Sequence, residues 1–334
     1  MKGSAQSVAE AVLLWARDNG ALADTRSMMP QRTELNSQLF PVVQGADAAE
    51  IEQAEKTLQR LKVVAVVIDE DNRRATILTK NQVSDSSAKK LPNNFGDIDI
   101  EYIGQSGIEP NPPPIPQTSL AAAPRTFMHN GRLACGSSVT AAPIASAGTL
   151  GALVTLADGT LCGLTNNHVT GGCNHTVLGM HILCPAPIDA DPMHPAPFAI
   201  GRHHSFVTLA SGDPGQVPLQ ELDVALFNVV HPHVVTSMQG GGFYDTPANT
   251  IGLSGGMMVK KVGRTTGLTV GQVIGPVATA LSLPYVSADF RSTVYFKNVW
   301  AVQTTTGAPF SSAGDSGSLV VTEDGRAAVG LIFA

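Results

Sequence analysis

Charge is scarce in this 334-residue chain: 21 Lys and Arg and 27 Asp and Glu make up 14% of it. An ordinary soluble domain carries roughly 25%. The basic residues form no stretch that would offer a phosphate-binding face, and the net charge at pH 7 is −6, so no nucleic-acid partner is expected. No apolar run approaches the ~18 residues of a membrane span, and no membrane association is expected. A secretory signal is not read at the N-terminus, because Glu10, Arg17 and Asp18 confine the apolar run to residues 11–16. Cysteine is sparse too, with four residues at 135, 162, 173 and 184. A large β domain has no need of disulfide staples, so free thiols in a reducing cytoplasm are expected.

What is present is apolar and turn-rich. Hydrophobic residues make up 43% of the chain, and 33 Gly and 22 Pro punctuate it. Global disorder is excluded by that composition. Residues 1–125 carry 29 of the charged side chains and residues 126–334 only 19, with Pro110, Pro112, Pro113, Pro114, Pro116 and Pro124 just before the change. A domain boundary is expected there, with 106–125 as an extended, Pro-rich linker.

Upstream, helical periodicity marks residues 5–17 and 46–61, the second capped by Asp47, so that 1–62 reads as a helical region. Residues 63–68 and 75–79 read as strands, and Ile98, Ile100 and Tyr102 alternate with acidic residues. The piece 63–105 is therefore expected to be a small α/β unit. Downstream of 126, short apolar runs at 150–156, 161–164, 224–230, 257–262, 270–274, 294–302, 318–321 and 327–333 alternate with turn residues. That pattern is all-β, a sandwich or barrel.

Three segments carry chemistry. Thr165-Asn166-Asn167-His168-Val169 follows one strand, Glu221-Leu222-Asp223-Val224-Ala225-Leu226 opens another, and Ala313-Gly314-Asp315-Ser316-Gly317-Ser318 leads into a third. A serine hydroxyl needs a base to take its proton as it attacks. Histidine titrates near neutrality and suits that task, and a buried carboxylate fixes its tautomer. Gly314 allows a turn from which the amides of Gly314 and Ser316 converge on one point, as an oxyanion hole requires. His168, Asp223 and Ser316 are thus expected to form a catalytic triad that needs no cofactor.

These motifs resemble the trypsin-like, chymotrypsin-fold serine peptidases over about 126–334. The segments Ala147-Gly148-Thr149-Leu150-Gly151-Ala152-Leu153-Val154, Val262-Gly263-Arg264-Thr265-Thr266-Gly267-Leu268-Thr269 and Phe310-Ser311-Ser312-Ala313-Gly314-Asp315-Ser316-Gly317-Ser318 bring the chain closer to a bacterial branch related to plant NARROW LEAF1-type trypsin-like proteins. The resemblance implies two six-stranded antiparallel β-barrels, His168 and Asp223 in the first and Ser316 in the second. It implies a serine endopeptidase acting on protein or peptide substrates. It also places the specificity pocket around Phe310 and Ser311, where no carboxylate stands, so an uncharged or apolar P1 side chain is expected. In related zymogens a new N-terminus pairs with the Asp before the serine. No such cleavage site precedes residue 135, and Asp315 is expected to use Arg264 or backbone amides instead.

Three departures stand out: Asn166-Asn167 where two alanines are usual, Ser318 where a second Gly is common, and a sequence ending at Ala334. The chain is expected to continue past Ala334, or another fragment or subunit to supply the missing strand edge. Cys173, His175, His181 and Cys184 offer a metal-site alternative, but their spacing matches no common zinc module, and no metal is expected. A function of another class is a catalytically idle scaffold, in which the N-terminal region binds a regulatory protein partner or the chain self-associates.

Overall fold

Ser4 opens the first helix by accepting a hydrogen bond from Ser7 N at 3.1 Å, which satisfies one of the free amides of a helix start. This is seen in a computed structural model that describes residues 4–23, 48–104, 125–142, 144, 146–190, 196–213 and 215–334. Helix α1, Ala5–Asp18, buries the stripe Ala5, Ala9, Val12, Leu13 and Ala16. Helix α2, Ala48–Leu61, buries Ala54, Leu58 and Leu61. Both stripes have the spacing of one helix face. The Asp47 cap and the linker 106–125, Arg125 excepted, lie outside the described residues.

Strands Val63–Asp69, Arg74–Thr79, Ile98–Gly104 and Asn94–Phe95 form a four-stranded sheet in that spatial order. Its inner face shares one core with both helices: Leu13, Trp15, Leu58, Val66, Ile77 and Ile98 belong to a single cluster. The helices before residue 62 and the strands after it thus share this core.

The regular structure described in residues 125–334 is almost all strand. A seven-stranded sheet runs, in spatial order, Gly148–Thr149, Ser138–Ala141, His181–Cys184, Phe198–Phe206, Ala225–Val229, Leu161–Thr165 and Ala152–Thr155. A six-stranded sheet runs Asn249–Thr250, Ala327–Leu331, Leu319–Thr322, Met258–Gly263, Gly267–Pro276 and Trp300–Thr304. The all-β expectation holds. The first sheet has one strand more than the six expected, and strands 128–135 and 235–245 form a separate four-stranded sheet.

The apolar run 294–302 is two strands of different sheets. Asn298 takes a left-handed turn at φ 58°, which separates Arg291–Phe296 from Trp300–Thr304. The earlier of these pairs antiparallel with Leu281–Val286 as a detached hairpin. Its apolar face packs with Ala65, Val67 and Leu78 of the N-terminal sheet, in one cluster with Leu283, Tyr285 and Phe296. Backbone bonds reinforce the contact: Ala278 N donates to Val66 O at 2.8 Å, and Val67 bridges Val277.

Candidate active site

Strand Leu161–Thr165 ends in a single wide helical turn, Asn167–Gly171, and His168 is buried within it. Asp223 stands two residues before strand Ala225–Val229, which is hydrogen-bonded beside Leu161–Thr165. Pairing of adjacent strands thus brings the two side chains together. His168 Nδ1 and Asp223 Oδ2 are 2.5 Å apart, with both side chains almost fully buried.

Asp223 is held by donors on every side. Its Oδ1 accepts the amides of Asn167 at 2.6 Å and His168 at 3.3 Å, and its Oδ2 accepts Tyr285 Oη–H at 2.8 Å. Asn166 Nδ2 donates to the Asp223 carbonyl at 2.5 Å. An ionised carboxylate only accepts, so Nδ1 of a neutral His168 carries the proton and Nε2 presents a lone pair. That Nε2 is buried without a hydrogen-bond partner among the described residues, Ser316 Oγ included. Asn166 and Asn167, departures from the expected alanines, are thus part of the framework. Asn167 Nδ2 donates to Asn174 Oδ1 and to Val207 O, each at 2.8 Å.

Ser316 reaches this locale from the other sheet through Thr149. Thr149 N donates to Ser316 O at 2.8 Å, Thr149 Oγ1 donates to Gly314 O at 2.8 Å, and Thr149 O accepts Thr165 Oγ1 at 2.7 Å. Gly148 is required beside it: a Cβ there would run into the Val169 side chain and meet Ser316 O at 3.0 Å. One glycine therefore touches both the histidine turn and the serine backbone.

The serine loop is pinned by its carbonyls. Ala313 O accepts Thr265 Oγ1 at 2.6 Å, and Asp315 O accepts Ser318 Oγ at 2.5 Å and Ser318 N at 2.9 Å. In a trans peptide the N–H points opposite to the C=O, so these bonds also aim the amides of Gly314 and Ser316. Neither amide donates a hydrogen bond among the described residues. Gly314 turns at φ +92°, and the Arg264 guanidinium occupies the space a Cβ would need.

Asp315 is fully buried. Its carboxylate accepts Thr265 N at 2.8 Å, Thr266 N at 3.2 Å, Ser312 N at 2.9 Å and Thr266 Oγ1 at 2.6 Å. The backbone amides expected as one alternative are thus present, while the cation is Lys261, at 3.2 Å, and not Arg264. Arg264 instead pairs with buried Asp189, which also holds Arg125 at 3.2 Å and Ser138 Oγ at 2.6 Å. Burial pulls the Lys261 ammonium below the usual lysine range, and the Asp315 charge opposes that shift.

Phe310 packs with Val259, Val273 and Val320 in the core of the six-stranded sheet, while Ser311 is half-buried. Three residues of the metal alternative lie apart, with Cys184 in the core of the first sheet, Cys173 under the detached hairpin and His181 exposed, while His175 stays beside Cys173, its Nδ1 2.9 Å from Cys173 O. All four cysteines are free and buried.

No protein-family model matches the sequence, and no curated protein matches it. Among solved structures the chain is similar to a Nocardiopsis protease, 18% identical over 59% of this chain and 81% of that one, with a TM-score of 0.36. Thermobifida fusca protease A is 17% identical over 59% and 82%, with a TM-score of 0.35. A Cellulomonas bogoriensis chymotrypsin is 18% identical over 59% and 80%, with a TM-score of 0.34. These neighbours are bacterial serine proteases.

Proposed function

We propose that the chain is a serine endopeptidase, with Ser316 as nucleophile, His168 as general base and then acid, and Asp223 as its orienting carboxylate. The observation that carries this reading is the buried Asp223–His168 pair at 2.5 Å, which leaves the Nε2 lone pair unpartnered. Ser316 Oγ attacks the scissile carbonyl while Nε2 takes its proton. The amides of Gly314 and Ser316 hold the oxyanion, and their freedom from other acceptors supports that role. Collapse passes the proton to the leaving amine and leaves an acyl-enzyme. Water then enters by the same route and releases the acid.

The fold we propose is two chymotrypsin-like barrels built on the seven- and six-stranded sheets, in the branch related to plant NARROW LEAF1-type proteins. Substrates are proteins or peptides, and the setting is the cytoplasm, a placement that four free thiols support. The P1 pocket lies near Ser311 and the Phe310 backbone, and it takes an uncharged or apolar side chain. A cleft of about 700 Å³ is bordered by Asp213, Pro284, Tyr285 and Arg291, within the size range of small-molecule sites.

The test is a fluorophosphonate probe on the purified protein. Labelling at Ser316, lost in Ser316→Ala and reduced by several orders of magnitude in His168→Ala, is the expected result. An unlabelled wild-type protein that is folded leaves the idle scaffold as the answer.

A further inference from the structure

Tyr285 has no part in the triad, yet its hydroxyl donates to Asp223 Oδ2 at 2.8 Å, the same oxygen that faces His168 Nδ1. Its ring stands edge-on to the imidazole, with centroids 5.4 Å apart at 80°. The side chain is fully buried, and it stacks at 5.9 Å on Phe296 of the partner hairpin strand. That strand is also fastened to the segment leading into Asp223: Gln220 N donates to Tyr295 O and Lys297 N to Gln220 O, each at 2.8 Å. The hairpin therefore grips the aspartate twice, once through its side chain and once through the backbone three residues ahead of it.

We infer that Tyr285 is a positioning residue for the Asp223–His168 pair, fixing the carboxylate so that Oδ2 stays in line with Nδ1. The inference rests on the proposed peptidase reading for its kinetic consequence, though not for its structural one. A carboxylate free to rotate would present its oxygens to the imidazole in several ways. The amides on Oδ1 oppose that rotation from one side, and the Tyr285 hydroxyl opposes it from the other. The hydroxyl stays a donor because burial first, and then the Asp223 charge, hold its own ionisation well above the usual range. Cys173, in the same cluster, offers no competing anion: burial and then the Asp223 charge push its thiol up to about 12. Ala65, Val67 and Leu78 belong to the same apolar cluster as Tyr285, so the N-terminal sheet helps to pack the residue that holds the aspartate.

The experiment is proton NMR of the hydrogen-bonded His168 Nδ1 proton, together with kcat and KM on a peptide substrate. In Tyr285→Phe the ring packing survives and only the donor is lost. The Nδ1 resonance is expected to move and its exchange with water to quicken about tenfold, while kcat falls about tenfold at unchanged KM. Phe296→Leu is the comparison, because it loosens the hairpin and keeps the hydroxyl. It is expected to lower the urea midpoint and leave the resonance in place. An unmoved resonance in Tyr285→Phe overturns the inference, and so does an equal movement in Phe296→Leu. If wild-type Ser316 resists fluorophosphonate while the resonance still moves in Tyr285→Phe, the peptidase reading fails and the positioning role stands.

Discussion

Burying an ammonium group without a partner is prohibitive, so Lys261 and Asp315 depend on each other. With both side chains at 0% exposure, neither has water to fall back on. Lys261→Met would leave the Asp315 charge with only amides and the Thr266 hydroxyl. A stability loss of about 3–5 kcal/mol is expected, measured as a lower urea midpoint. Fluorophosphonate labelling should fall with it, since Asp315 adjoins Ser316. Arg264→Met is the informative contrast: Asp189 would keep Arg125 and Ser138, so a smaller loss is expected, and equal losses would contradict the pairing. The sequence showed His168, Asp223 and Ser316 because each stands in a contiguous motif whose residue types suit one chemistry. It hid Lys261 and Tyr285 for the opposite reason. Lys260-Lys261 interrupts an apolar run, and nothing local tells the buried lysine from its half-buried neighbour. Tyr285 lies 62 residues from the aspartate it touches, on a strand that looks like any other.

Strands were legible where an apolar run sat between turn residues, and illegible where two strands met without one. Leu161–Thr165 and Leu319–Thr322 match their runs closely, whereas 294–302 splits at an asparagine that takes the turn a glycine usually marks. Strand Phe198–Phe206 adds a histidine that the proposed chemistry does not use. His203 is buried and stacked at 5.5 Å on Phe206, with neither ring nitrogen hydrogen-bonded among the described residues. Burial first, and then neighbouring His204, pull its titration below the usual 6.5. As pH falls through about 6.5, the unfolded chain takes up a proton that the folded one refuses, so stability is lost in that window. His203→Phe should flatten that part of the curve. The measurement compares the urea midpoint between pH 7 and pH 5 in both proteins, and an identical slope would show that His203 does not contribute.

At the scale of the whole chain, the N-terminal unit and the strand-rich region share a core, although composition reads as two domains with a linker. Composition reports which surfaces are charged; it does not report that the hairpin 281–296 needs an apolar cover, or that Ala65, Val67 and Leu78 supply one. The chain carries its own reporters of this coupling, because it has two tryptophans. Trp15 belongs to the core of the helices and N-terminal sheet, and Trp300 packs against the core of the six-stranded sheet. Trp300→Phe leaves a fluorescence signal from the first core, and Trp15→Phe leaves one from the second. A shared interface predicts one cooperative transition, with both single-tryptophan proteins unfolding at the same urea concentration once the small effect of each substitution is allowed for. Val67→Ala, which removes two methyl groups from the fully buried contact, is expected to cost about 2 kcal/mol of stability and to lower both urea midpoints together. Independent domains would give a different pattern: the Trp15 signal would shift, the Trp300 signal would stay, and Tyr285 would keep its grip on Asp223 without the N-terminal sheet behind it.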